Sequence, residues 1–208
     1  MKTKFLALVL AAPLAFVSCE NPADKTTNAK VSGSVEKLAS AATGGTRYSF
    51  TPASEVNFVG SKVTGSHTGG FKVFSGYFTI KDGKPVGTDH KVVIDMKSIF
   101  SDDEELTLHL KSPDFFDVVK FPQSTFDVTG VQQDSDTACT ISGNFTLHGI
   151  TKNIGFPATV SRDGDNVRIY AKFDINRKDF GIAYAGKADD LIRDEVVIEI
   201  KLEAKPDA

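Results

Sequence analysis

Tryptophan is absent from this 208-residue chain, which also has only two methionines and two cysteines. One cysteine, Cys19, closes an N-terminal apolar run. Cys139 is therefore alone in the remainder, and no intrachain disulfide is expected there. It stands between Ala138 and Thr140 in a strand pattern, where a buried inert thiol is expected. The four histidines, His67, His90, His109 and His148, show no HExxH spacing and have no cysteine pair beside them, so no metal site is expected. His90 reads as a surface residue, and His148, before a glycine turn, as a hydrogen-bonded structural one. A GxSxG elbow, a glycine-rich phosphate loop and a Cys-His pair in an identifiable context are all missing, so nothing supports catalysis or a cofactor. No basic stripe interleaves with aromatics and the net charge is −3, which argues against nucleic acid. No apolar run reaches bilayer-spanning length either.

What is present begins with Lys2 and Lys4, followed by the short apolar run Phe5 to Val17, interrupted by Pro13. This is the pattern of a signal peptide. The run ends in Phe16-Val17-Ser18-Cys19, which resembles a bacterial lipoprotein signal. Residues 1–18 would then be removed and Cys19 diacylated, holding the protein at a membrane on the periplasmic or cell-surface side. Ordinary secretion with cleavage near Ser18 is the alternative. Glu20 to Gly45 is rich in Ala, Ser, Thr, Asn, Lys and Gly and has no aromatic residue. It reads as a flexible tether of roughly 25–30 Å root-mean-square span, with Val31 to Leu38 as a brief helix at most. Residues 46–208 form one domain.

Sixteen phenylalanines dominate the aromatic content, fourteen of them beyond residue 45. They fall among runs with a period of two. Val92, Ile94 and Met96 face one way; Cys139, Ile141, Phe145 and Leu147, then Ile154, Phe156 and Ala158, do the same. Val167 to Ile175 and Val196 to Leu202 repeat the alternation. Lys81 to Pro85, Gln133 to Asp136 and Arg162 to Asp165 supply turns. About eight strands with short hairpins predict an antiparallel up-and-down barrel. Gly65, Gly69 and Gly70 are placed for strand kinks.

Two longer connections interrupt the meander. The first, Ser101 to Phe121, opens with an N-cap pattern, Ser101-Asp102-Asp103-Glu104, and leads into LTLHLKSPDFFDVVKFP. Pro113 and Pro122 exclude a long strand or helix there, so a helix and turn loaded with Phe115, Phe116 and Phe121 is expected. The second, Lys178 to Arg193, carries Phe180, Ile182, Tyr184 and Leu191. Both are too apolar for free loops and are expected to cover barrel ends.

These stretches together have a family look. LHLKSPDFFDVVKFP with Ser124-Thr125-Phe126 resembles the YceI family, lipocalin-like polyisoprenoid-binding proteins of bacterial envelopes. So do Phe58-Val59-Gly60, Gly65 to Phe71, Phe74-Ser75-Gly76, Ser98-Ile99, Gly143 to Lys152, Asn176 to Gly181 and Asp194-Glu195-Val196, in that order over Thr46 to Ala204. The resemblance implies a lipocalin-like barrel that encloses a long isoprenoid or similar lipid without catalysis. Phe58, Phe71, Phe74, Phe78, Phe115, Phe116, Phe145, Phe173 and Phe180 form the pool of lining residues. Phe71 and Phe74 would face opposite ways on a regular strand. His67, His109, Lys111 and Arg177 are the candidates for the lipid headgroup at the rim. For Arg177 a salt bridge fixing the second connection is the competing role. Two rivals stay open: a barrel filled by its own side chains that serves as an envelope interaction module, and an enzyme for a lipid-like substrate. A homodimer is also open.

Overall fold

The computed structural model describes residues 20–37, 44–86 and 90–208. The leader and the expected acylation site, Cys19, lie outside the described residues. The strands are β1 (Thr27–Asn28), β2 (Lys30–Gly33), β3 (Thr46–Phe50), β4 (Glu55–Lys62), β5 (Gly65–Phe71), β6 (Phe74–Lys81), β7 (Lys84–Pro85), β8 (Lys91–Asp95) and β9 (Ile99–Ser101). A helix, α1 (Glu104–Leu110), follows. Then come β10 (Gln123–Gln133), β11 (Ala138–Leu147), β12 (Ile150–Asp163), β13 (Asn166–Asn176), β14 (Gly186–Lys187), β15 (Asp190–Leu191) and β16 (Glu195–Pro206).

Eight staves make the barrel, all antiparallel to their neighbours. Three are bent strands: β3 continues into β4, β5 into β6, and β8 into β9 around a 3-10 turn at Met96–Ser98. β10, β11, β12, β13 and β16 complete the meander. β16 closes it by pairing with β13 from Val167↔Ala204 to Asn176↔Glu195. Its other edge takes β4 and β3. Closure pairs every stave with two neighbours, and alternation along each stave sends apolar side chains inward, as the sequence pattern predicts. The break between β5 and β6 also settles the Phe71 and Phe74 question. The irregular bend at Lys72 and Val73 shifts the parity, and both rings pack on the core. Gly69 and Gly70, expected as kinks, serve close approach instead. A Cβ on Gly69 would collide with the Phe58 ring and the Phe100 carbonyl.

One seam of the barrel is unusual. β12 and β13 pair only from Thr159↔Tyr170 to Asp163↔Asn166. Pro157, lacking an N–H, stands just below the last pair, and there the two strands part. The gap is filled by the N-terminal segment. β1 pairs in parallel with β13 (Thr27↔Phe173), and β2 pairs antiparallel with β12 (Val31↔Ile154). Ala29 between them reaches the core. Before this insertion the chain crosses the outside of the barrel as a 3-10 turn, Pro22–Lys25. There Thr26 Oγ1 donates to the buried Asp174 carboxylate at 2.6 Å. Beyond it, Val35 and the Asn144 amide exchange two hydrogen bonds, at 3.0 and 2.7 Å. The expected flexible tether is thus corrected over residues 20–37, which form a strap and seam-filling stave. The helix proposed at Val31 is replaced by β2. Backbone pairing on two open edges supplies what the side chains lack, at about 1 kcal/mol net per hydrogen bond.

The two barrel ends differ. One carries the hairpin tips at Asp82-Gly83, 134–137 and 163–165. The other carries the β4–β5 turn, the His148-Gly149 turn and both long connections. Placing both connections at one end closes it. In the first, the Asp103 side chain caps α1 by accepting from Leu106 N at 2.8 Å, with Glu104 and Glu105 in the first turn. Leu110, Phe115 and Val118 then bury against the barrel interior, and from the second connection Phe180 is fully buried and Ile182 nearly so. Each such side chain contributes roughly 1.5–3 kcal/mol.

Candidate functional site: a two-chamber apolar interior

Two cavities lie in line along the barrel. The inner one, about 180 Å³, sits behind the closed end, and its lining includes Phe58, Phe71, Leu110, Phe115, Phe116, Phe145, Phe173 and Ile182. The outer one, about 530 Å³, lies behind the hairpin tips. It is lined by Phe50, Phe78, Ile80, Val128, Ile141, Val167 and Ile169, with Tyr77, His90, Lys91, Gln133, Asp136, Thr137 and Arg162 among its polar members. Val92, Phe126, Phe156, Ile200 and Leu202 line both and form a waist between them. Phe156 is the keystone of that waist. It stacks on Phe173 at 4.1 Å between centroids and tilts against Phe126 at 5.6 Å.

Of the nine expected phenylalanines, seven line a chamber: Phe78 the outer, and Phe58, Phe71, Phe115, Phe116, Phe145 and Phe173 the inner. Phe74 and Phe180 line neither. Phe180 instead stands behind Phe145, edge to face at 5.2 Å, as packing for the floor. Phe50, Phe126 and Phe156 were missed. The alternation of Phe156 with Ile154 and Ala158 already placed it on the inward face.

The four cationic candidates gather at the closed end, away from the polar mouth. His67 is half-buried on β5, with Nδ1 2.8 Å from Asp102. The Asp102 carboxyl, which also accepts from Thr68 N at 2.9 Å, is held below the usual carboxylate range chiefly by that backbone bond. His109 has Nε2 2.8 Å from Asp114, and its ring meets Phe115 at 4.9 Å and Tyr184 at 5.0 Å, so it clips the two connections together. Lys111 caps the C-terminus of α1. Neither His67, His109 nor Lys111 lines a chamber.

Arg177 reaches the floor of the inner chamber but is 4% exposed. Its guanidinium donates to the carbonyls of Ile182 at 2.8 Å, Arg193 at 3.0 Å and Ile192 at 3.3 Å, and to Asp194 at 3.4 Å. Burial lowers its pKa, with Asp194 opposing. This is the strut that fixes the second connection, the competing role, and it leaves the guanidinium little capacity for a ligand.

His90, expected at the surface, is 4% exposed and its Nδ1 accepts from Thr79 N at 3.2 Å. Its polar neighbours in the sequence concealed an inward turn at the start of β8. His148, at φ 50°, has Nδ1 3.3 Å from the Phe180 carbonyl, in line with a structural role. Cys139 is buried, and burial raises its thiol pKa. Among the described residues no group of three or more His, Cys, Asp or Glu is arranged to hold a metal ion.

Comparison with known proteins gives the fold a lineage. A UPF0312 protein of Pseudomonas putida strain W619 is 32% identical over 139 residues, covering 63% of this chain and 71% of its own. Protein YceI of Salmonella arizonae is 36% identical over 120 residues, covering 55% and 62%. Among solved structures, Burkholderia cenocepacia BcnA superposes with a TM-score of 0.67 at 25% identity, covering 73% of this chain and 96% of its own. A polyisoprenoid binding domain from Saccharophagus degradans superposes at 0.64 and 21% identity, covering 77% and 98%. The family model for the YceI-like domain matches residues 48–204, nearly all of the barrel without its N-terminal strap, and the chain belongs to that family.

Proposed function

We propose that the barrel binds and carries a long apolar lipid, a polyisoprenoid or similar chain, with the tail threaded through both chambers and the polar head at the hairpin-tip mouth. The observation that carries this is the gradient along the interior. The inner chamber and the waist are apolar apart from Ser124, Arg193 and the committed Arg177 guanidinium, whereas Gln133, Asp136 and Arg162 of the outer chamber stand near its mouth. A ligand with one oily and one polar end fits that gradient in a single direction. Burial of its chain, at roughly 25 cal/mol per Å², supplies affinity without specific bonds. The outer chamber alone falls within the roughly 300–1,000 Å³ usual for ligand pockets. A barrel filled by its own side chains would have no room for such a waist and two chambers.

The same reading is non-catalytic. It places the protein outside the cytoplasm, with Cys19 acylated as the anchor, in keeping with the basic and apolar leader that precedes it. Mass spectrometry of an organic extract of the purified protein is the direct test. A stoichiometric long-chain lipid is expected. An extract without lipid, together with failure to bind an added polyprenol, would overturn the carrier function.

A further inference from the structure

We infer that the closed end is a membrane-docking face, which holds the barrel against a lipid bilayer with its mouth turned away. The inference rests on the acylation of Cys19 proposed above and on two observations. The first is how the segment that follows Cys19 is held. Asn21 caps the 3-10 turn Pro22–Lys25, with its side chain accepting from Ala23 N at 3.2 Å, and its Oδ1 stands 3.5 Å from Ser61 Oγ. Ser61 is the penultimate residue of β4, at the closed end, where its carbonyl accepts from Arg193 N. Ala23 and the Thr26 bond to Asp174 fix the turn further. Cys19 is two residues from Asn21, and two extended residues span roughly 7 Å. An acyl chain on Cys19 therefore leaves this end no room to stand clear of the headgroups.

The second observation is what that end displays. Val63, Leu108, Val119, Ile150, Tyr184 and Leu191 are all exposed there, Val119 at 85% and Leu108 at 67%. They project from both turns and both connections. Val63 and Leu191 are joined by a backbone hydrogen bond, and Tyr184 lies against α1 through His109. The other exposed apolar side chains are spread along the wall and strap. Both ends carry exposed carboxylates, Asp102, Asp103, Glu104 and Glu105 at the closed end and Asp82, Asp134, Asp136 and Asp163 on the opposite hairpin tips, so the clustered apolar side chains rather than charge distinguish the closed end. Apolar side chains clustered around an anchoring point are the means by which a protein sits in the headgroup boundary. The lipid-filled barrel would then offer its cargo to the aqueous side.

The test uses the full-length protein, processed in cells and reconstituted into phosphatidylcholine vesicles that contain bromolipid. A small environment-sensitive fluorophore is placed on Val63→Cys, Leu108→Cys or Asp136→Cys; the buried Cys139 stays unlabelled. Intact mass reports the acyl chains. Quenching of severalfold is expected at Val63 and Leu108 and none at Asp136. Absence of acyl mass overturns the anchor, and the docking face with it. Acylated protein with unquenched labels at Val63 and Leu108, or with quenching at Asp136, overturns the docking face alone.

Discussion

The inner and outer chambers are built from the same staves yet differ in every physical respect. The inner one is small, largely apolar and capped by two connections that turn Leu110, Phe115, Val118, Phe180 and Ile182 inward. Its floor is stiffened by a buried guanidinium that spends its donors on three carbonyls and Asp194. The outer one is larger and meets solvent through Gln133, Asp136 and Arg162. A meander has no inherent top or bottom. The difference arises from loop length: short Asp- and Gly-bearing hairpins leave one end open, whereas long apolar connections seal the other. The barrel thereby gains a direction, and a ligand must share it.

Severing the chambers is the strongest challenge to this contrast. Val92→Phe narrows the waist, and affinity for a long polyprenol is expected to fall about 100-fold, or about 2.7 kcal/mol. A short isoprenoid alcohol confined to the outer chamber should change by less than about threefold. Titration of both probes decides it; an equal loss for the two would mean that the chambers do not act in series. Next in size is the floor. Arg177→Met removes the donors of three carbonyls and is expected to cost about 2 kcal/mol in chemical denaturation, with chain-length preference retained. A selective loss of anionic-headed ligands instead would return Arg177 to a headgroup role.

At the mouth the effect is smaller. Arg162→Glu is expected to weaken a polyprenyl phosphate about fivefold relative to the matching alcohol, read from the ratio of the two dissociation constants and decreasing with salt. The smallest effect belongs to Asp102. Its carboxyl is held below the ordinary range, so the stability it contributes is present in full above the ordinary carboxylate pKa and is lost as pH falls through the depressed value. Asp102→Asn should lower stability at neutral pH by about 0.5 kcal/mol or less, given its exposure. Denaturation curves for the two proteins should converge in strong acid.

Much of this was legible in the chain. Alternation from Val167 to Ile175 and from Val196 to Leu202 carries the inward faces, and the Asp-Gly tips mark the hairpins. The heavy apolar load of 106–122 requires that it cover something. The position of the headgroup candidates at the closed end was not legible, for a different reason. His109, Lys111 and Arg177 were grouped by charge and by position in the long connections, but residue type does not reveal which end of a barrel a connection closes or whether a guanidinium is already saturated. The strap was illegible on physical grounds. Thr27 to Gly33 holds its place through main-chain groups, which every residue carries, and through Ala29 alone in the core. Composition reports only what side chains can bury. The one available hint was Pro157, whose missing N–H announces an unpaired edge in the middle of a long strand.

That edge has a consequence for how the molecule is assembled. Thr27 meets Phe173 across more than two thirds of the chain, so the last gap in the wall is closed by a contact of very high sequence separation, the slowest kind to find. Synthesis delivers the N-terminus first, and the filler waits while β12 and β13 are still to come. A protein trimmed to residues 48–204 would keep every stave yet display two bare strand edges beside a phenylalanine-lined interior. Edges of that kind recruit strands from other molecules. The trimmed barrel should therefore form oligomers on size-exclusion chromatography, and a synthetic peptide spanning residues 20–37 should suppress them.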